Sequence, residues 1–389
     1  MKKIGIITLV FHNYGTILQS YALCKVLNHI APTSFDIKVI NLKTTWGNVP
    51  VSHSRWLLQI VRAYKIKSLL YIFKLFRWKK ELKIDKKDRS VETQKRNELF
   101  NNLCSQIPYT SQKYSPDELR NGLINDYDAL IVGSDQVWNG IKVSDQDVLG
   151  LTFFNGKKLT YAASFGMTSI PQNMVAFYKK IVNSFDTLLM RETEGVNICK
   201  SLGRNDAEFV LDPTLLLQAS DYDSLIEQSE VNINDDYILV YSLNCSYKIY
   251  NQAHRLAQKC GCKMIVLKRS FCPPDIGKFR NSDELYAVSP QGFLSLIKNS
   301  KCVVTNSYHA MLFSINFKKN FYLYLDNCDE ENSRMQTIVR MLNLEECVYW
   351  ETQRLPKRIK DVSYQDTDEI LEKIRQYSIN CLKTSLSGV

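Results

Sequence analysis

The sequence lacks the short signatures that identify several protein classes on their own. It has eleven cysteines but no C-x-x-C pair, and an odd number of cysteines in a large chain favours buried free thiols in a reducing compartment. Cys260, Cys262 and Cys272 are close enough in sequence to keep a metal site as the alternative. We favour free thiols, and we expect neither a metal nor a resident cofactor.

Other absences exclude membrane-spanning, repeat and nucleic-acid-binding proteins. No stretch reaches the roughly 20 apolar residues that cross a bilayer, and no repeat occurs at the periods of solenoids. The first apolar run is short, breaks at residues 12–15 and has no small-residue cleavage site after it, unlike a signal peptide. There is no nucleic-acid-binding motif and no G-x-G-x-x-G fingerprint for a dinucleotide. We therefore expect a cytoplasmic protein with no nucleic-acid partner.

The composition is that of an ordered globular protein. The chain has 389 residues, of which 45% are apolar and 23% charged, and this length suggests two domains of about 150–200 residues each. Its formal net charge of +10 suits a negatively charged partner, such as a phosphorylated small molecule or an anionic lipid.

Two series of short apolar runs alternate with helical patterns, which is typical of βαβ units and parallel sheets. The first series predicts strands at Lys3–Val10, Ile37–Leu42, Ala129–Val132, Leu159–Ala163 and Thr187–Met190. The second predicts strands at Tyr237–Ser242, Lys263–Leu267, Cys302–Thr305 and Phe321–Leu325. We expect an N-terminal domain over 1–217 and a C-terminal domain over 218–365. Residues 366–389 are predicted to form a helix that packs back on the N-terminal domain.

A basic amphipathic insertion is predicted at about 50–105 in the first domain. Residues 55–80 contain eight basic residues and no acidic one, interleaved with aromatic and aliphatic side chains. This pattern favours a helix or helix pair that lies on an anionic membrane surface, so we expect the protein at the inner face of the cytoplasmic membrane. The alternative is an insertion packed on its own domain with a solvated basic face.

His309 is the first candidate for chemistry. It follows the predicted strand Cys302–Thr305 and the small polar Ser307, and it precedes an apolar helix. Ligands of open α/β sheets bind at the carboxyl ends of strands, and helix N-termini attract anions there. The alternative is a buried histidine bonded to a backbone carbonyl.

Similar junctions follow the other strands. Asn13, Tyr14 and Gly15 form a strand–turn–helix junction whose free backbone N–H groups suit a phosphate or an acceptor sugar. Ser134 and Asp135 follow a buried strand, where a carboxylate is placed to orient or deprotonate a sugar hydroxyl; the alternative is a helix cap.

Three further side chains complete the candidates. Trp138 is predicted to stack on a sugar ring, unless it belongs to the core. Arg191, at a strand end, offers a bidentate donor for phosphate or carboxylate, unless Glu192 pairs with it. Arg334 follows an acidic turn.

Taken together, the motifs of the chain resemble those of the polysaccharide pyruvyl transferase family. The resemblance runs over residues 4–345 and is carried by N-Y-G-x-x-L-Q, I-V-G-S-D-Q-V-W-N, Y-A-A-S-F-G, R-E, L-D-P-T and S-Y-H-A-x-x-F-S-I. It implies a GT-B-like fold, in which two Rossmann-like domains face each other across a cleft. It also implies transfer of pyruvate from phosphoenolpyruvate to a sugar, usually as a ketal, with a lipid-linked or wall-polymer sugar as the acceptor.

The resemblance also assigns site residues and shows one departure. His309 corresponds to the site histidine of the family, Arg191 to an arginine proposed to grip phosphoenolpyruvate, and Asp135 to the aspartate of the S-D motif. Several members read Arg-Leu-His where this chain has Ser-Tyr-His at 307–309. If the missing arginine binds the donor carboxylate, another cation must replace it, and the candidates are Lys318, Lys319 and Arg334.

Two other functions stay open at this point. One is a GT-B glycosyltransferase that uses a nucleotide sugar, because the same cationic cleft suits a diphosphate. The other is a non-catalytic sugar- or lipid-binding component of an envelope-assembly complex, which the departure at Ser307 leaves possible.

Overall fold

The first half of the chain folds around a parallel sheet. The structure is a computed structural model that describes residues 1–9, 12–31, 33–43, 86–140, 145–244, 246–268, 279–325, 329–350 and 353–389. The sheet has the order β3-β2-β1-β4-β5. Its strands are β1 Lys2–Ile7, β2 Phe35–Leu42, β3 Tyr109–Tyr114, β4 Ala129–Val132 and β5 Lys157–Thr160. A small pair, β6 Leu189–Met190 and β7 Glu208–Phe209, continues it through single bridges from Leu159 to Thr187 and from Ala163 to Met190.

The second half forms another parallel sheet, with the order β10-β9-β8-β11-β12-β13. Its strands are β8 Tyr237–Tyr241, β9 Lys263–Leu267, β10 Ser282–Leu285, β11 Cys302–Thr305, β12 Asn320–Leu325 and β13 Val348–Trp350. The central strands β8 and β11 are buried along their whole length, as expected for strands covered by helices on both faces. The predicted α/β class with two parallel sheets is confirmed.

Helices connect and cover the strands. They are Tyr14–Ile30, Lys86–Cys104, Pro116–Arg120, Gln146–Leu149, Val175–Val182, Thr193–Ser201, Pro213–Leu216, Asp223–Ile226, Tyr247–Cys260, Pro290–Asn299, Tyr308–Asn316, Asp329–Met341 and Gln365–Leu386, with short 3₁₀ turns at Gln172–Met174, Ala219–Tyr222 and Glu345–Cys347. In the part of the chain that the structure describes, no helix is long and apolar enough to span a bilayer.

The two halves pack directly against each other beside the first helix. The ring of Tyr14 stacks on Phe293, with ring centroids 4.5 Å apart and planes 3° from parallel. The Tyr14 hydroxyl donates to the Val288 carbonyl at 3.0 Å. Tyr14 was predicted to contact a ligand. It is instead a buried interface residue, because its ring and its hydroxyl both contact residues of the second half.

The last helix, Gln365–Leu386, returns to the first half. Its Arg375 Nε donates to the Leu215 carbonyl at 2.7 Å, and its Ser378 hydroxyl accepts from the Leu211 N–H at 3.0 Å. The helix thus fixes the segment 211–216, where the chain leaves the first half.

Only the end of the predicted basic insertion can be placed. The helix Lys86–Cys104 carries Arg96, whose guanidinium lies 4.5 Å from the ring centroid of Phe100 and 5.5 Å from that of Tyr14. The predicted membrane-binding residues 55–80 lie outside the described residues.

Candidate active site

The site lies where the two sheets present their carboxyl ends to each other. In the first sheet β1 lies between β2 and β4, and in the second β8 lies between β9 and β11, so each sheet has a point where its strand order reverses. Crevices form outside the carboxyl ends of strands at such points. The segments after β1, β4 and β11 carry Gly15, Asp135 and His309 respectively, and the structure brings these three residues together.

The first turn of helix Tyr14–Ile30 lies against the imidazole of His309. Asn13 caps this helix, and its side-chain oxygen accepts from the Gly15 N–H at 2.9 Å. A Cβ atom on Gly15 would lie 2.0 Å from His309 Nδ1, a distance at which the imidazole must move. Glycine is therefore required here by the close approach of the second half, and Asn13 acts as a helix cap.

Asp135 is held in a strained backbone conformation. Its φ of 93° is in the left-handed region, which non-glycine residues seldom adopt. Its carboxylate accepts from the Thr16 hydroxyl at 2.8 Å and from the Gln136 N–H at 2.8 Å. Burial raises the pKa of Asp135, but the charges of Arg191 and then His309 outweigh it, so the pKa lies below its usual value. The side chain is 17% exposed and ionised, as a residue that orients a hydroxyl requires.

Asp212 is the centre of the buried part of the site. One of its oxygens, Oδ2, accepts from the Ser134 hydroxyl at 2.8 Å and from Arg191 at 3.3 Å. The other accepts from the Thr214 N–H at 3.0 Å, and His309 Nε2 lies 3.7 Å from Oδ2, beyond hydrogen-bond distance. Burial raises the pKa of Asp212, whereas His309, Arg191 and the Thr214 N–H lower it more strongly, so the group is ionised.

Arg191 is buried against carboxylates. Its guanidinium lies 3.3 Å from Asp212, 3.8 Å from Asp135 and 4.0 Å from Glu192, and only 1% of its side chain is exposed. The sequence proposed either a ligand contact or a pair with Glu192. The structure gives Arg191 three carboxylate neighbours and no exposed face, so it supports the residues that line the surface of the site.

Tyr308 and Arg334 complete the cluster. The ring of Tyr308 lies 4.7 Å from the Arg191 guanidinium and 5.7 Å from that of Arg334. When its oxygen faces Arg334, the side-chain amide of Gln136 accepts hydrogen bonds from both terminal nitrogens of that guanidinium. Glu192 accepts from the N–H groups of Phe165 at 3.0 Å and Gly166 at 3.3 Å.

The site therefore has two layers. Partly exposed side chains at its surface are His309, Asp135, Gln136 and Arg334. Behind them lie fully buried polar and charged side chains: Ser134, Arg191, Glu192 and Asp212. Several buried polar atoms here have no hydrogen-bond partner among the described residues, namely Arg191 Nε, Glu192 Oε2, Tyr308 OH and His309 Nε2. Native proteins leave few such atoms, and their concentration marks a place prepared for chemistry or a ligand.

Sequence reasoning missed Asp212 and Tyr308. Asp212 precedes Pro213 and caps the short helix Pro213–Leu216, so its pattern is that of an ordinary helix start. Tyr308 has an aromatic side chain at the start of an apolar helix, which predicts core packing. The only signals were the L-D-P-T and S-Y-H motifs as units.

Three predicted ligand contacts are wrong. Trp138 is 0% exposed and packs on Phe165, and its indole N–H donates to the Leu149 carbonyl at 3.0 Å, so it is a core residue. Lys318 and Lys319 follow the far end of helix Tyr308–Asn316, about 13 Å along the axis from His309. Lys318 instead pairs with Asp368 at 2.5 Å.

Two predicted serine contacts have structural roles. Ser307 caps helix Tyr308–Asn316, with its hydroxyl accepting from the Ala310 N–H at 3.4 Å. Ser134 is fully buried and serves Asp212 rather than the surface of the site. Among the described residues, no group of three or more His, Cys, Asp or Glu side chains is arranged to hold a metal ion.

Comparisons with known proteins identify the family and the fold. A family model described as polysaccharide pyruvyl transferase matches residues 13–329. No curated relative matches the sequence. The chain is similar to UDP-GlcNAc 2-epimerase from Methanocaldococcus jannaschii, at 13% identity and a TM-score of 0.51, over 97% of this chain and 93% of that one. It is also similar to UDP-N-acetylglucosamine 2-epimerase from Rickettsia bellii, at 10% identity and a TM-score of 0.50, over 100% and 97%. At such identities the likeness shows the fold alone, and it confirms the predicted GT-B-like architecture.

Substituting Gly15 by alanine should displace His309. The added Cβ would lie 2.0 Å from Nδ1, and overpacking of this kind costs about 1–3 kcal/mol. We expect a lower free energy of unfolding in urea and shifted ring resonances of His309 in nuclear magnetic resonance spectra. The matched control is Gly195→Ala in helix Thr193–Ser201, where the nearest atom, Cε of Met190, lies 3.3 Å away. Unchanged His309 resonances in Gly15→Ala would contradict the close approach.

Removing the charge of Asp212 should destabilise the fold in a pH-dependent way. Asp212→Asn leaves Arg191 with less compensation, which should cost about 3 kcal/mol at neutral pH. Because the folded pKa of Asp212 is depressed, the stabilisation is complete above the unfolded value near 3.9 and is lost as the pH falls. The difference in unfolding free energy should hold from pH 8 to 5 and start to narrow below about pH 4.

The control is Asp206→Asn, which removes an exposed carboxylate that pairs with Arg204 and should cost less than Asp212→Asn does. A difference for Asp212→Asn that stays the same at pH 3 would mean that its charge is not what stabilises the site.

Proposed function

The chain belongs to the polysaccharide pyruvyl transferase family, as its motifs predicted, and we propose that it moves pyruvate from phosphoenolpyruvate to a sugar, forming a ketal. The acceptor is a sugar of a surface polysaccharide or of its lipid-linked precursor. The observation that carries the proposal is the meeting of His309 from one half with Asp135 from the other, both partly exposed above a buried charged cluster.

The surroundings of His309 and Asp135 suit an anionic donor. Two helices of at least nine residues, Tyr14–Ile30 and Tyr308–Asn316, begin at this point, and their N-terminal N–H groups favour negative charge. Side-chain cations are present in both layers. Phosphoenolpyruvate carries a phosphate and a carboxylate, so it needs both kinds of donor.

The reaction requires a general acid and a residue that orients the acceptor. Protonation of the methylene carbon of phosphoenolpyruvate makes the neighbouring carbon electrophilic, and one sugar hydroxyl adds to it. A second hydroxyl displaces inorganic phosphate and closes the ketal. Of the two hydroxyl protons, one replaces the proton that the acid gave to the methylene carbon, and the other leaves with the base or the phosphate. We assign the acid to His309, because an imidazole both donates and accepts protons near neutral pH. Asp135 then accepts a hydrogen bond from the attacking hydroxyl.

Removing the imidazole should remove the activity. In His309→Gln we expect kcat to fall by about 10²- to 10⁴-fold, the usual contribution of general acid–base catalysis. The measurement is phosphate release from phosphoenolpyruvate with a panel of p-nitrophenyl glycosides, followed by mass analysis of the product. The matched control, His254→Gln, changes a histidine that lies against the Arg280 carbonyl and Phe279, away from the site, and it should retain full activity.

Binding separates this function from its rivals. At 100 times its dissociation constant, the true donor should stabilise the protein by about 2.7 kcal/mol. Stabilisation by UDP-sugars but not by phosphoenolpyruvate would replace the proposal with a glycosyltransferase. Phosphate release that does not depend on a sugar would also contradict it. If the protein consumes neither phosphoenolpyruvate nor a UDP-sugar, a binding protein remains as the explanation.

We also propose that residues 55–80 hold the protein on the inner face of the cytoplasmic membrane, where a lipid-linked acceptor is found. The support is the sequence pattern of eight basic residues among apolar ones. Each basic residue near an anionic surface contributes about 1 kcal/mol, and salt screens the attraction.

Sedimentation with liposomes tests this attachment. We expect binding to phosphatidylserine vesicles at low salt and release at high salt. Replacing Lys65, Lys67, Lys74 and Arg77 by glutamine should abolish it, whereas the same number of changes at exposed lysines elsewhere should not. Equal binding to neutral phosphatidylcholine vesicles would contradict an electrostatic attachment.

A further inference from the structure

The two arginines of the site differ in what neutralises them. Arg191 has three carboxylates within 4.0 Å and is sealed from solvent. Arg334 is partly exposed, and among the side chains that the structure describes no carboxylate forms an ion pair with it. Among the described residues it contacts the ring of Tyr308 and the amide of Gln136, both neutral, while Glu192 and Asp135 act on it from beyond ion-pair distance.

We propose that Arg334, rather than Arg191, is the guanidinium that binds an anionic group of the donor. This inference rests on the proposed function and assigns the donor contact of that same site. Its first support is position, since Arg334 belongs to the partly exposed layer with His309 and Asp135, whereas Arg191 is buried. Arg334 therefore has a surface that a ligand in solution can contact, and Arg191 has none.

The second support is the chemistry of its neighbours. Burial lowers the pKa of Arg334 and the positive charge of Arg191 lowers it further, and together they outweigh the opposite effect of Glu192 and Asp135. An anion placed on Arg334 would relieve both effects. It would also give the Arg334 N–H groups a charged acceptor in place of the neutral oxygen of the Gln136 amide.

The third support is how Arg334 is held. Both guanidinium groups lie near the ring of Tyr308, at centroid distances of 4.7 Å for Arg191 and 5.7 Å for Arg334, so the ring attracts each of the two cations. Gln136 comes from the first half of the chain and Arg334 from the second. Donor binding at Arg334 therefore takes place at the seam between the halves, next to the strained Asp135.

The position also resolves the choice among three cations. Lys318 and Lys319 lie beyond the far end of helix Tyr308–Asn316, and Ser307 only caps that helix. Arg334 comes from a different helix, Asp329–Met341, and is the one of the three that the fold carries to His309 through Tyr308.

The test compares binding of phosphoenolpyruvate, inorganic phosphate and pyruvate by isothermal titration calorimetry. Losing a charged hydrogen bond should weaken phosphoenolpyruvate binding to Arg334→Gln by about 10- to 100-fold. Arg334→Lys keeps the charge but loses the fork, so it should recover part of the affinity. If Arg334→Gln also weakens the binding of phosphate, Arg334 holds the phosphate group of the donor. If it weakens the binding of pyruvate instead, Arg334 holds the carboxylate. The matched control, Arg340→Gln, changes an exposed arginine of the same helix and should bind all three as the unaltered protein does.

The outcomes separate the two levels of the proposal. If the unaltered protein binds phosphoenolpyruvate and Arg334→Gln binds it equally well, the inference is wrong and the function stands. If the unaltered protein binds phosphate but not phosphoenolpyruvate, the function fails, and the phosphate affinity of Arg334→Gln decides the inference alone. If neither anion binds, both fail. Should Arg334→Gln unfold, Arg334→Lys gives the same comparison, and unchanged affinity of that variant for phosphoenolpyruvate would overturn the inference.

Discussion

The ion pair between Arg191 and Asp212 is the interaction on which the site depends. Both side chains are buried, and removing two charges from water costs several kcal/mol per ion unless each finds compensating partners. Asp212 finds them in Ser134, Thr214 and Arg191, and Arg191 in three carboxylates and the face of Tyr308. Because these partners come from four separate segments, the strand ends of the first half and the His309 helix of the second must meet in one arrangement.

This arrangement constrains the residues at the surface of the site, which adopt conformations or residue types that are unfavourable elsewhere. Asp135 adopts a φ of 93°, and such strain persists only where the surrounding structure determines it fully. Here the determinants are the Thr16 hydroxyl and the Gln136 N–H, which hold both carboxylate oxygens. Because Gly15 has no side chain, the imidazole of His309 can contact the helix. Both features orient groups toward one point rather than stabilise the fold, which favours a role in chemistry over one in packing.

The extent to which the sequence predicted this site follows from which patterns carry distance information. Period and alternation locate strands, and parallel strands bring their carboxyl ends to one edge, so His309, Asp135 and Arg191 could be predicted as neighbours. These patterns do not show how far along the following helix a residue lies, which is why the predicted ligand contacts of Lys318 and Lys319 were wrong. Burial of an aromatic side chain also depends on tertiary neighbours, so Trp138 was misread as a sugar platform although Phe165 and Phe185 cover it.

Asp212 and Tyr308 could not be found for a different reason. Each has a sufficient local explanation, a helix cap and an apolar helix start, and a local explanation hides a long-range role. What distinguishes them is charge balance. The buried Arg191 needs the carboxylate of Asp212, and the Tyr308 ring offers a polarisable surface to both guanidinium groups of the site. Because buried carboxylates compensate the positive charge of Arg191, this charge contributes little to the electrostatic field at the surface of the site. The field that an incoming anion meets must then come from the cation left at the surface and from the two helix N-termini beside it.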